Sequence, residues 1–175
     1  MPLKISVDEE LEGLTQALGS LGALQGQMGP AGPVSSWSAD QHLYHIALAT
    51  DLALTNVAAL VAGASPRIVD TADPNELACQ VLVEGCYPRG ESQAPRTVQP
   101  PADVDLELLA EEYTGLGQLL ASVRGLADKV AGAPGAIVHL QLGALSAAHW
   151  LRFARLHGEH HLAIVRDIGR YIGRG

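Results

Sequence analysis

Apolar residues recur at helical spacing along four stretches of this chain, and the alternation that marks a strand is nearly absent. The first stretch predicts a helix from about Val7 to Gln25. Ser6 and Glu9 fit a capping box, and Leu11, Leu14, Leu18 and Leu21 form its stripe. Gly13, Gly19 and Gly22 weaken it, so packing must hold it; Pro30 and Pro33 end it. The second helix runs from about Ala39 to Ala62, with Ser38 and Gln41 as a capping box and Trp37 just outside. It is apolar nearly all round, so it belongs at the centre of the protein or at a subunit interface. A short helix follows from Pro74 to Glu84, with Asp73 as cap and Gly85 as stop. Residues from Pro88 to Pro101 read as a loop.

The third long helix is predicted from about Val104 to Val130. Its stripe (Leu106, Leu109, Tyr113, Leu116, Leu120, Val123, Ala127, Val130) alternates steps of three and four without a break. The fourth spans about Ala147 to Ile172, capped by Ser146, with Leu145 placed to staple onto Trp150. The expected fold is all-α: one domain over residues 1–175, a four-helix bundle with a long crossover connection between the second and third long helices.

The chain has 175 residues, 47% of them hydrophobic, enough for one sizeable core. Its net charge is -8, from 19 acidic and 11 basic residues, which argues against non-specific nucleic-acid binding. There is no Gly-rich phosphate loop. The N-terminal run lacks a signal-peptide core. A long uncharged stretch, between Lys129 and Arg152, contains Pro134, His139, Gln141 and His149 and is a poor membrane span. Two cysteines, Cys79 and Cys86, make no disulfide framework in a chain of this size, although a bridge or paired metal site between them stays open. A soluble, reducing, cytoplasmic protein is expected.

Seven histidines change this plain picture, and three of them, His157, His160 and His161, fall within five residues of each other. On a helical wheel with His157 at zero, Trp150, Phe153, His161, Ile164, Ile168 and Tyr171 lie within about 40°. Arg152, Arg155, Glu159, Arg166 and Arg170 lie near the opposite pole. His157 and His161 thus share the inward face one turn apart, the spacing that lets two imidazoles grip one ion. His160 sits at the edge of that face. A pair of hydrogen-bonded core histidines is the plain alternative. A third ligand would come from the second helix, where periodicity leaves His42 and His45 both open. Asn56 shares the His45 face, and Asn56 and Tyr44 are weak candidates for contacts around a bound ion or substrate, with ordinary helix packing favoured for both.

Three motifs carry a family resemblance. Trp37-Ser-Ala-Asp-Gln41-His42-Leu-Tyr44-His45-Ile46 resembles the W-S-x-x-Q-x-L-x-H-L start of the second helix in the DinB/YfiT superfamily. His157-Gly-Glu-His160-His161-Leu162 resembles its H-x-x-H-H-L signature. His139 to Trp150 resembles the H-P-x-F-G-x-L-x-x-x-x-W approach of one DinB-like subfamily, with Leu140 in place of Pro, and the segment from Gly85 to Pro100 is similar to that subfamily's Pro-rich connector. The resemblance covers nearly the whole chain. It implies a DinB-like bundle with a divalent metal ion on His45, His157 and His161, and a ligand role for His42 or His160 stays open. Three neutral imidazoles leave a coordination position free, as in catalytic sites. Zn and Ni suit such ligands best, and Fe and Mn are compatible.

Relatives in this superfamily include metal-dependent thiol transferases and a thiol-dependent isomerase that use bacillithiol or mycothiol. The leading expectation is therefore a metal-dependent thiol S-transferase, or a thiol-dependent isomerase, with a small-molecule thiol and an electrophile as partners. Nothing in the sequence marks a dedicated general acid or base. The alternative is a non-enzymatic, stress-related homodimer with a structural metal, its second helix at the interface. A third reading has the histidines binding metal only during purification on nickel.

Overall fold

A computed structural model describes residues 4–24, 32–85, 87 and 94–173. The protein is mostly helical, with a small antiparallel sheet. Helix α1 spans Val7–Gly22, α2 Ala39–Ala62, α3 Glu76–Glu84, α4 Leu106–Arg124, α5 Ala127–Val130 and α6 Ala147–Ile172. Strands β1 (Ile68–Val69), β2 (Asp73–Pro74), β3 (Ala136–His139) and β4 (Gly143–Leu145) complete the architecture.

Helix α2 is the hub. It packs against α6 on one side and α4 on the other, and α1 closes against α6 and α4. Within the chain it lies at the centre: Leu43, Ile46, Leu54, Val57 and Leu60 are all fully buried. It is also long and apolar enough to cross a membrane by length and composition, although over half of that stretch is buried inside the protein. Its start is fixed as expected. Ser38 Oγ accepts from Gln41 N at 3.1 Å, and Gln41 Oε1 accepts from Ser38 N at 2.9 Å. Gln41 Nε2 donates to Pro101 O at 3.0 Å, which ties the helix start to the connection before α4.

The α1 stripe is buried as its spacing implies, with Leu11, Leu14 and Leu21 sealed from solvent. Its capping box does not form: the Ser6 side chain makes no cap hydrogen bond. Instead the first turn carries Asp8, Glu9 and Glu10, whose negative charge suits a helix N-terminus. Glu10 is buried, and its carboxylate takes ion pairs from both Arg152 and Arg155 of α6. The polar face of α6 is therefore not all solvent-facing; two of its arginines clamp α1.

Four boundaries differ from expectation. The first helix ends at Gly22, while the expected continuation to Gln25 and the two prolines meant to end it run into residues that lie partly outside those described. The short helix starts at Glu76, because Asn75 caps it by accepting from Ala78 N at 2.9 Å, and Asp73–Pro74 are drawn into the sheet instead. The third long helix starts at Leu106, where Asp105 Oδ1 accepts from Glu107 N at 2.8 Å. It breaks after Arg124 at Gly125-Leu126 before the single turn of α5, and its stripe frays at the N-terminal end, where Leu106 is 45% exposed. Helix α6 has the expected bounds, with Ser146 Oγ accepting from His149 N at 3.3 Å.

The sheet is the main addition to the all-helical expectation. Its order is β1-β3-β4-β2, all antiparallel. The strands have two to four residues, too few for period-two alternation to register, and two of the three pairings join segments far apart in sequence. Pro74 is tolerated because β2 lies at an edge. Gly143 turns the β3–β4 hairpin at φ 80°, and a Cβ there would stand 2.5 Å from Asp73 O, so both conformation and space require glycine. The hairpin leads directly into α6 and is tied to its start: Trp150 Nε1 donates to Ile137 O at 3.2 Å.

Candidate metal centre

Helices α2 and α6 run antiparallel where they meet, so that His42 faces His161 and His45 faces His157. His45, His157 and His161 are all buried, and one ring nitrogen from each lies within 4.8 Å of the others. Among the described residues this is the one group of three or more His, Cys, Asp or Glu side chains placed to hold an ion.

The spacing fits an ion. His45 Nε2 and His157 Nε2 stand 3.4 Å apart. Two imidazole nitrogens bound at ~2.0–2.1 Å to one tetrahedral zinc are separated by about 3.3–3.4 Å. An ordinary N–H···N hydrogen bond would draw them closer, to roughly 3 Å.

The outer hydrogen bonds point the free lone pairs the same way. His45 Nδ1 donates to Val98 O at 2.7 Å, which leaves Nε2 unprotonated and facing His157. That carbonyl comes from the single 3-10 turn Arg96–Val98, closed by Val98 N on Pro95 O at 3.0 Å. His161 Nδ1 stands 2.8 Å from His42 Nδ1, and His42 Nε2 stands 2.8 Å from Ser35 Oγ. In the tautomer set that frees His161 Nε2 for an ion, His161 Nδ1 donates to His42 and His42 Nε2 donates to Ser35. Ser35 is held in turn by the Trp37 amide at 3.1 Å.

Both ring nitrogens of His42 are thus engaged, and it stands behind His161 rather than beside the other ligands. His160 is half-buried and lies against Tyr87, with ring centroids 5.4 Å apart. It too stands outside the three-residue group. Trp37 covers His42 and His45 at 5.4 and 5.1 Å, and Phe153 stacks on His157 at 5.1 Å.

Burial sets the charge state. It pushes His157 and His161 well below the ordinary histidine range, and the neighbouring imidazoles push them further. Burial lowers His45 against the opposing pull of the Val98 carbonyl, and lowers His42 to about 4. The rings are therefore neutral at neutral pH, the form that ligates metals.

The cluster lines a cavity of about 1020 Å³. Asn56 lines it as well; its side chain is 1% exposed and accepts from Arg67 Nη2 at 3.0 Å. Tyr44 is half-buried, packs against the buried core and does not line the cavity. Cys79 is exposed, and a pairing with Cys86 lies outside the described residues.

Sequence reasoning missed three contributors. The Val98 carbonyl is a backbone group and carries no side-chain signature. Ser35 lies just ahead of the helix it supports and reads as loop. Arg67 reads as loop too, although its partner Asn56 was visible on the His45 face. Comparison with family models, with curated proteins and with solved structures finds no match.

Proposed function

We propose that His45, His157 and His161 hold a divalent metal ion, Zn or Ni by preference, and that the protein is a metal-dependent enzyme acting with a low-molecular-weight thiol, as an S-transferase or a thiol-dependent isomerase. The helical frame is read accordingly as a DinB-like four-helix bundle, in which the connection between α2 and α4 is a crossover. One observation carries the reading: three neutral imidazoles converge at ligand spacing on the wall of a cavity large enough for a small molecule. A structural site would be closed on all sides by protein ligands, whereas three ligands facing open space leave a position for an incoming molecule.

A divalent ion held there would supply an undiminished positive charge that lowers the pKa of a bound thiol. The protein's part is positional. Val98 O and His42 fix the ring orientations of His45 and His161. Trp37 and Phe153 pack against the rings of His45 and His157. Among the described residues no Asp or Glu lines the cavity, so none of them competes with an anionic sulfur for the positive centre. The electrophile would approach through the same cavity, and no described residue facing it has the marks of a dedicated general base.

The test is a screen of metal-loaded protein with bacillithiol, mycothiol and simple thiols against chlorodinitrobenzene. Thiol consumption that disappears in His157→Ala supports the enzyme. Metal bound at full occupancy with no thiol binding or turnover supports the alternative, a non-enzymatic module with a structural ion.

A further inference from the structure

The cavity extends well beyond the histidines. Because α2 and α6 run antiparallel, residues further along α2 face residues earlier on α6. From His45 the wall continues over Ala49 and Leu52 on one side and Phe153 and Trp150 on the other. It reaches Asn56 about three turns away, roughly 16 Å along the helix. This stretch is apolar and aromatic. At its far end stands Arg67, at the start of β1, its guanidinium gripped by the buried Asn56.

Two facts give Arg67 a role beyond packing. Among the described residues, imidazoles aside, it is the one charged side chain lining the cavity, and no described Asp or Glu lines it. Among the described residues Arg67, like Arg96 and Arg166 outside the cavity, makes no ion pair, whereas Arg124, Arg152, Arg155 and Arg170 each take a carboxylate. Asn56 occupies one N–H and fixes the guanidinium, leaving further donors for a ligand. A single guanidinium, with no second Lys or Arg among the described lining residues, matches a singly charged carboxylate.

We propose that the cavity binds an elongated organic carboxylate, its charged end on Arg67 and its apolar body over Ala49, Leu52 and Phe153, reaching toward the histidine cluster. This deepens the thiol reading only in its claim about what sits at the histidine end; the Arg67 end stands on its own.

Three probes of equal length separate the two ends by titration calorimetry: mercaptoundecanoate, mercaptoundecanol and undecanoate. In zinc-loaded protein mercaptoundecanoate should bind about tenfold or more tighter than mercaptoundecanol, and Arg67→Gln should erase the difference. Undecanoate should bind metal-free protein with the same dependence on Arg67. Arg67 is exposed, so Arg67→Gln should keep wild-type helicity by circular dichroism. The short acid mercaptopropionate should show no Arg67 dependence, because it cannot span from the cluster.

Equal affinity for the acid and the alcohol, an unaltered acid affinity in a folded Arg67→Gln, or an Arg67 effect on mercaptopropionate equal to that on the long acid would each overturn the proposal. Equal affinity of mercaptoundecanoate and undecanoate for zinc-loaded protein, with the Arg67 effect intact, supports the carboxylate site and overturns the thiol-activating reading alone.

Discussion

Replacing Glu10 by Ala removes the carboxylate that joins α1 to α6. Its side chain is 3% exposed, and it receives both Arg152 and Arg155. Truncating one member of a buried ion pair costs about 3–5 kcal/mol when the surviving charge is stranded. Here the stranding is partial. The arginine side chains are 17% and 20% exposed, Arg155 keeps Glu159 at 2.7 Å, and Arg152 keeps the Leu82 carbonyl. The expected loss is therefore below that range, about 2–3 kcal/mol, or roughly 5–10 °C in Tm for a chain of this size.

Urea unfolding followed by helical circular dichroism measures it, with Arg155→Ala as the comparison. Arg155→Ala should cost less than Glu10→Ala, because Glu10 keeps Arg152. The double variant should cost less than the sum of the two single losses. A loss below about 0.5 kcal/mol for Glu10→Ala would refute the reasoning, since it would put the carboxylate in water rather than between the helices.

Further predictions follow from the site and the sheet. His42→Ala should leave the fold intact and weaken metal binding about 10- to 100-fold in a chelator competition, because His161 loses the partner that orients it; unchanged affinity would place His42 outside the site's support. Gly143→Ala should cost about 2–4 kcal/mol in urea unfolding, because the positive φ and the Asp73 carbonyl both oppose a side chain. Metal-free protein should lose stability as pH falls. Burial lowers His139 to about 4, so it stays neutral when folded and accepts a proton near 6.5 when unfolded. Its contribution is present above about 6.5 and drains away between there and about 4, and the buried cluster adds in the same direction. Urea midpoints that do not fall between pH 7 and pH 5 would contradict this.

Much of the helical frame was legible because its signals are local. Ser38 with Gln41, Ser146, and the stripes of α1 and α6 lie within a few turns of what they organise. The inward pair His157 and His161 followed from helical phase alone. Between His42 and His45 periodicity could not decide, since either reaches the same face. The structure separates them by their hydrogen bonds, with His45 turned to Val98 O and His42 to His161 and Ser35.

What escaped the sequence depends on distant pairing. Two- and three-residue strands carry no periodicity, so the sheet that draws in Asp73 and Pro74 was invisible, and the cap moved to Asn75. The Glu10 clamp was hidden for a related reason. Arg152 and Arg155 sit on the polar side of α6, where solvent is the ordinary expectation, and only the approach of α1 buries them.

The central claim is that three imidazoles on α2 and α6 hold one divalent ion. Protein prepared without an affinity tag and assayed for metal by mass spectrometry tests it most directly, beside the double variant His157→Ala, His161→Ala. One ion per chain in the wild type, none in the variant, and a lower melting temperature for the variant are the predicted result. A wild type free of stoichiometric metal even after incubation with zinc, melting at the same temperature as the variant, would contradict it.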